Sequence, residues 1–104
     1  MPLEKDLATA IFRIFQETLT NVARHAGATK IFVRLEAKDG QVILEVTDNG
    51  RGISRKQIND PKSFGIMGMR ERALLWGGNV QVTGSRYKGT TVTVSIPMKS
   101  RGEE

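Results

Sequence analysis

The 104 residues contain no cysteine, which removes disulfide frameworks and thiolate metal sites from consideration. No apolar run approaches the roughly 20 residues needed to span a bilayer. The opening MPLEKDLATA has neither a signal-peptide core nor a twin arginine. Aromatic residues are scarce: Trp76, Tyr87 and four phenylalanines, none interleaved with basic side chains. That scarcity weighs against a nucleic-acid partner, although 16 basic and 11 acidic residues leave a net charge of +5. The densest basic group, Arg51 with Arg55 and Lys56, sits in a glycine-bounded loop. A hydrophobic share of 38% and a charged share of 26% suit an ordinary globule, and the length allows a single core, so residues 1–104 are expected to form one domain.

What is present is a regular alternation of helical and extended patterns. Leu7, Ile11, Ile14, Phe15, Leu19 and Val22 form a stripe at helical spacing, predicting a helix from Asp6 to His25, with Asp6 as N-cap and Gly27 as stop. Lys30 to Ala37 and Gln41 to Thr47 alternate as strands around the hairpin signal Asp39-Gly40. Their apolar faces are Ile31, Val33, Leu35 and Val42, Leu44, Val46; Phe32 and Ile43 fall on the opposite, polar faces. Ile53 to Phe64 is mostly polar and without period. A second helix is expected from about Gly68 through Trp76, ended by Gly77-Gly78. Val80 to Thr83 and Thr90 to Ile96 read as the last two strands. Each strand has one apolar face, so the expected fold is α+β: a two-layer sandwich of a mixed sheet with its helices on one face.

Three places break these patterns. Arg13, Glu17, Asn21 and His25 form one row of i,i+4 neighbours beside the apolar stripe. This is either a solvated face with an Arg13–Glu17 pair, or a carboxylate and an amide oxygen placed to meet Mg²⁺, a cation that prefers such ligands and binds with phosphates. Asp48 is in phase with Val42, Leu44 and Val46, and Thr90 with Val92, Val94 and Ile96, so both point toward the buried layer. They are the floor of a pocket, or Asp48 simply caps the turn at Asn49-Gly50. Finally, Gly50-x-Gly52 and Gly65-x-x-Gly68 bracket the polar segment, and Gly68 opens a helix whose N–H groups suit an anion.

Taken in order, FRIFQETLTNVARHAGA, DNGRGI, GIMGMRERA and KGTTVTVSIP resemble the N box and the three glycine boxes of the Bergerat-type ATP-binding fold shared by gyrase, the Hsp90 chaperone, histidine kinases and MutL. Within that group the chain is most similar to sensor histidine kinases of the nitrate-sensor and membrane-fluidity-sensor type, over Leu7 to Met98. The resemblance implies that Asn21 ligates Mg²⁺ and that Glu17 polarises a water or the incoming nucleophile. It implies that Asp48 accepts the adenine amino group, supported by Thr90. Gly50 and Gly52 would shape the adenine pocket, and Ile53 would line it. Gly65, Gly68 and Met69 would hold a lid against the phosphates, and Arg24 and His25 would meet them. Tyr87 departs from the pattern by standing at the first glycine of the third box, so only Gly89 and Thr90 carry over there.

Family members have a further strand before the first helix, and a two-helix dimerisation domain bearing the phosphoacceptor histidine. Neither is found in this sequence, so the chain reads as a fragment. The function implied is transfer of the γ-phosphoryl group of Mg·ATP to a histidine on that separate dimerisation domain, and thence indirectly to a response regulator. An anti-sigma-type serine kinase or a non-catalytic ATP-sensing module of the same fold are the alternatives. The implied location is cytoplasmic, without direct membrane contact by this fragment and compatible with a membrane-anchored parent.

Overall fold

The computed structural model describes residues 5–23, 27–50, 66–84 and 89–98. The first helix, α1, runs Lys5–Asn21 and buries Leu7, Ile11, Ile14 and Thr18. Val22 is buried beyond its end, in wider π-type winding at 22–23. Asp6 lies within the first turn rather than capping it. Thr18 replaces Leu19 in the expected stripe: it is in phase with Ile11 and Ile14, and its hydroxyl donates 2.9 Å to the Ile14 carbonyl, so burial leaves it satisfied.

Strands β1 (Ile31–Lys38) and β2 (Gln41–Asp48) form a hairpin. Its two-residue turn places Asp39 at φ 54° and Gly40 at φ 76°, the left-handed pair that such a connection requires. Helix α2 (Ile66–Leu75) buries Ile66, Met69 and Ala73. It ends in a Schellman motif: the Gly78 N–H donates 2.8 Å to the Ala73 carbonyl and the Gly77 N–H 2.9 Å to that of Leu74, with Gly77 at φ 75°. A β-carbon on Gly78 would strike the backbone of Ser95, so the helix end approaches the sheet at a distance that only glycine allows. Strands β3 (Asn79–Gly84) and β4 (Thr90–Pro97) complete the domain.

The strand order is β1-β2-β4-β3, with every described pairing antiparallel. A mixed sheet was expected. Strands β2 and β3, joined across α2, do run in the same direction, but β4 lies between them, so no parallel ladder forms among the described residues. The core consists of the inward faces of β2, β3 and β4 under α1 and α2, with Ile14, Met69 and Ile96 fully buried. The expectation that β1 shares this core is overturned. Ile31, Val33 and Leu35 are 42%, 49% and 48% exposed. Helix α1 packs on β2 and α2 on β3 and β4, leaving the apolar face of β1 uncovered by the described helices.

Candidate functional site

The sheet brings Asp48 and Thr90 together. They are register partners at adjoining strand ends, on the face that carries Val46 and Val92. Asp48 is 6% exposed. Its Oδ1 accepts the Gly50 N–H at 2.8 Å, closing the turn after β2. Its second oxygen has no hydrogen-bond partner among the described residues. Turn formation and an inward-facing acceptor thus coexist, one oxygen for each. Gly89, at φ 86°, presses against this strand end: a β-carbon there would collide with the Asp48 carbonyl oxygen and come within 3.2 Å of Asn49 Cα.

Asn49 fixes what lies beside Asp48. Its Oδ1 accepts the Thr29 and Lys30 N–H groups at 2.9 Å each, its Nδ2 donates 2.9 Å to Thr29 Oγ1, and its own N–H donates 3.2 Å to the Lys30 carbonyl. The segment after α1 is thereby tied to the end of β2. Sequence reasoning missed this role, treating Asn49 as turn chemistry only; a side-chain amide bonded some 20 positions away leaves no local periodic trace.

On α1, Glu17 and Asn21 lie one turn apart, both half-buried. Arg13 and Glu17 form no ion pair among the described residues, where the ion pairs are those of Arg34 with Glu36 and Glu45. Glu17 instead lines a cavity of about 320 Å³ with Arg13, Gln16, Thr20 and, from α2, Arg72. The two helices meet where the Thr18 hydroxyl touches Met69 Sδ at 3.4 Å, which sets Glu17 beside the first turn of α2. Gly68 lies in that turn, where a β-carbon would sit 3.8 Å from Arg72 Nη1. Helix α2 begins at Ile66, two residues earlier than expected. Met69, implied to hold the lid, is fully buried in the core beneath Gly68. Arg72 was not singled out from the sequence, because its approach to Glu17 depends on helix packing. Arg24, His25, Gly52, Ile53 and Gly65 lie outside the described residues. Among the described residues no group of three or more acidic or histidine side chains could hold a metal.

The inward carboxylate at a strand end and the carboxylate–amide row on the helix above stand in a two-layer sandwich of the kind found in a family of ATPases. The chain belongs to the histidine kinase-, DNA gyrase B- and HSP90-like ATPase family, whose model matches residues 6–100. Within it, the chain is the type of domain that serves histidine kinases as their catalytic ATP-binding part. It is 39% identical over 103 residues to the sensor histidine kinase LiaS of Bacillus subtilis, covering 97% of this chain and 28% of LiaS. It is 35% identical over 94 residues to the sensor protein VraS of Staphylococcus aureus, covering 90% of this chain and 27% of VraS. The blue-light activated histidine kinase of Erythrobacter litoralis superposes with a TM-score of 0.78 at 27% identity, over 92% of this chain and 32% of that one. The fold is also that of the ATP-binding domain of PrrB from Mycobacterium tuberculosis (TM-score 0.72, 19% identity, 88% of this chain and 69% of that one). The chain thus spans little more than a quarter of the curated relatives it matches.

Proposed function

We propose that this domain binds Mg·ATP and presents its γ-phosphoryl group to a histidine on a separate dimerisation domain, from which a response regulator draws it. The carrying observation is Asp48, buried at a strand end with one oxygen tied to Gly50 and the other without a partner among the described residues. That oxygen accepts the adenine amino group, and Thr90 across the ladder supports it. Gly50 and Gly52 let the backbone follow the base, and Ile53 lines it. Gly65 and Gly68 give the N-terminal side of α2 room beside the phosphates, with Met69 anchoring that turn in the core. Arg24 and His25 meet phosphate oxygens beyond the end of α1.

The donor set on α1 suits Mg²⁺ arriving with nucleotide. One amide oxygen, from Asn21, and a carboxylate a turn away leave the other positions to phosphates and water, the arrangement this small hard cation prefers. When bound, Mg²⁺ neutralises charge on the transferring phosphoryl group. Glu17 carries the remaining step: a carboxylate without an ion pair among the described residues, lining an open cavity, can accept a hydrogen bond from the incoming imidazole N–H as the other ring nitrogen attacks. The presence of Glu17 favours transfer over a module that only senses ATP.

The test is Asp48→Asn. The variant retains an oxygen for the Gly50 N–H, so the turn survives, but it replaces the second acceptor by a donor. Loss of a hydrogen bond to a charged group is worth about 1.5–3 kcal/mol, so ATP affinity should fall about 10- to 100-fold. A purine riboside triphosphate, which lacks the exocyclic amine, should bind wild type and variant nearly equally. Equal losses for both nucleotides in a calorimetric titration would remove Asp48 from the base pocket.

A further inference from the structure

We propose that Arg72 is a further catalytic residue: its guanidinium holds the equatorial oxygens of the γ-phosphoryl group as that group passes to the incoming imidazole. This deepens the reading of the domain as a phosphoryl donor and rests on it.

Arg72 comes to the site from α2, and its direction follows from helix geometry. Long side chains on a helix point back toward the N-terminus and lie over the turn before their own Cα. One turn back stands Gly68, where a β-carbon would sit 3.8 Å from Arg72 Nη1. The guanidinium therefore lies beside the one residue of the first turn of α2 that has no side chain, and that turn borders the proposed phosphates. From there Arg72 lines the cavity of about 320 Å³ whose α1 wall includes Glu17. Such a volume is roughly ten times a water molecule's share of the liquid, room for an imidazole ring with a phosphoryl group on it.

The chemistry orders the groups across this cavity. Glu17 accepts the N–H on one side of the ring, and the attacking nitrogen is on the other. The phosphoryl group then stands one ring's width from Glu17, toward α2. As it transfers, its bond to the bridging oxygen of ADP breaks while its bond to nitrogen forms. The electron pair leaves with ADP, and the ring proton moves toward Glu17. Negative charge in that state is spread over three equatorial oxygens. A planar guanidinium can donate to two of them at once.

Nothing described competes for Arg72. It forms no ion pair among the described residues, and no residue three or four positions away on α2 is acidic. Of the described residues lining the cavity only Glu17 is acidic, against Arg13 and Arg72, so the lining is cationic. Arg13 does not share the place of Arg72. It precedes Glu17 by one turn of α1, is exposed, and points back toward the start of that helix, away from Asn21.

Binding of Mg·ADP with and without aluminium fluoride, a mimic of the phosphoryl group in flight, tests the assignment without an acceptor domain. The wild-type chain should bind ADP more tightly when the fluoride is present. In Arg72→Ala that gain should shrink about 10- to 100-fold, the worth of hydrogen bonds to a charged group, with affinity for Mg·ADP alone unchanged. Arg13→Ala, which removes the same charge from the same cavity, should keep the gain. With a dimerisation domain added, Arg72→Ala should slow transfer about 100- to 1,000-fold at saturating ATP, with little change in KM. Equal fluoride gains in wild type and Arg72→Ala, no gain in wild type, or an equal loss in Arg13→Ala would each overturn the assignment of Arg72 while the nucleotide reading stands. A wild-type chain that binds no ADP would overturn that reading, and this inference with it.

Discussion

At the end of β2, Asp48 Oδ1 accepts the Gly50 N–H, and the other carboxylate oxygen has no hydrogen-bond partner among the described residues. The two readings open in the sequence, turn cap and pocket floor, are therefore not rivals; alternation gave the direction of the side chain, and the structure divides its oxygens. The row on α1 resolves differently. Arg13 and Glu17 form no ion pair among the described residues, and Glu17 lines the cavity between the helices instead. Asn21 carries the metal assignment, and its test separates metal from base. Asn21→Ala should abolish the enhancement of ATP binding by Mg²⁺, while adenosine, which has no phosphates for the metal to bridge, should bind almost as before. Calorimetry with and without Mg²⁺ measures both; a variant retaining the full enhancement would place the metal elsewhere.

Element by element, periodicity located both described helices and all four described strands, because each carries its apolar side chains on one face and therefore shows its period. The buried set differed where a side chain satisfies itself unexpectedly. Thr18 enters the core by bonding its hydroxyl to the Ile14 carbonyl. What periodicity could not show was whether an apolar strand face is covered. Ile31, Val33 and Leu35 alternate just as Val42, Leu44 and Val46 do, yet α1 rests on the second set alone. Long-range polar ties were equally invisible. Asn49 joins the segment after α1 to β2 through three side-chain hydrogen bonds. Asn49→Ala would remove all three. The groups left behind can reach water, so the expected loss is about 1–2 kcal/mol rather than the sum of three buried bonds. For a domain of about 100 residues that lowers the melting temperature by about 5–10 °C, measurable by circular dichroism. A shift below one degree would mean that the α1–β1 connection is held elsewhere.

At the scale of the molecule, the pieces of the proposed site come from α1, the adjoining ends of β2 and β4, and the first turn of α2. They are separated in sequence and joined by the Asp48–Thr90 register and the Thr18–Met69 contact. The motifs announced these pieces through their order; the distances between them belong to the packing. The cavity beside Glu17 opens outward between the helices, lined by residues that the nucleotide assignment does not use: Arg13, Gln16, Thr20 and Arg72. His25 follows Asn21 by one turn's worth of residues, on the stretch assigned to phosphate contact, where an attacking nitrogen would have to lie in line with the leaving bond.

The measurement that bears most directly on phosphoryl transfer is therefore labelling with γ-³²P ATP and Mg²⁺, with and without a separately purified sensor-kinase dimerisation domain. The expected result is no label on the chain alone. With the added domain, label should appear on that domain only, as acid-labile, base-stable phosphate, and Glu17→Gln should reduce it without reducing ATP binding. Acid-labile phosphate on His25 of the isolated chain would contradict the assignment of donor and acceptor to separate domains.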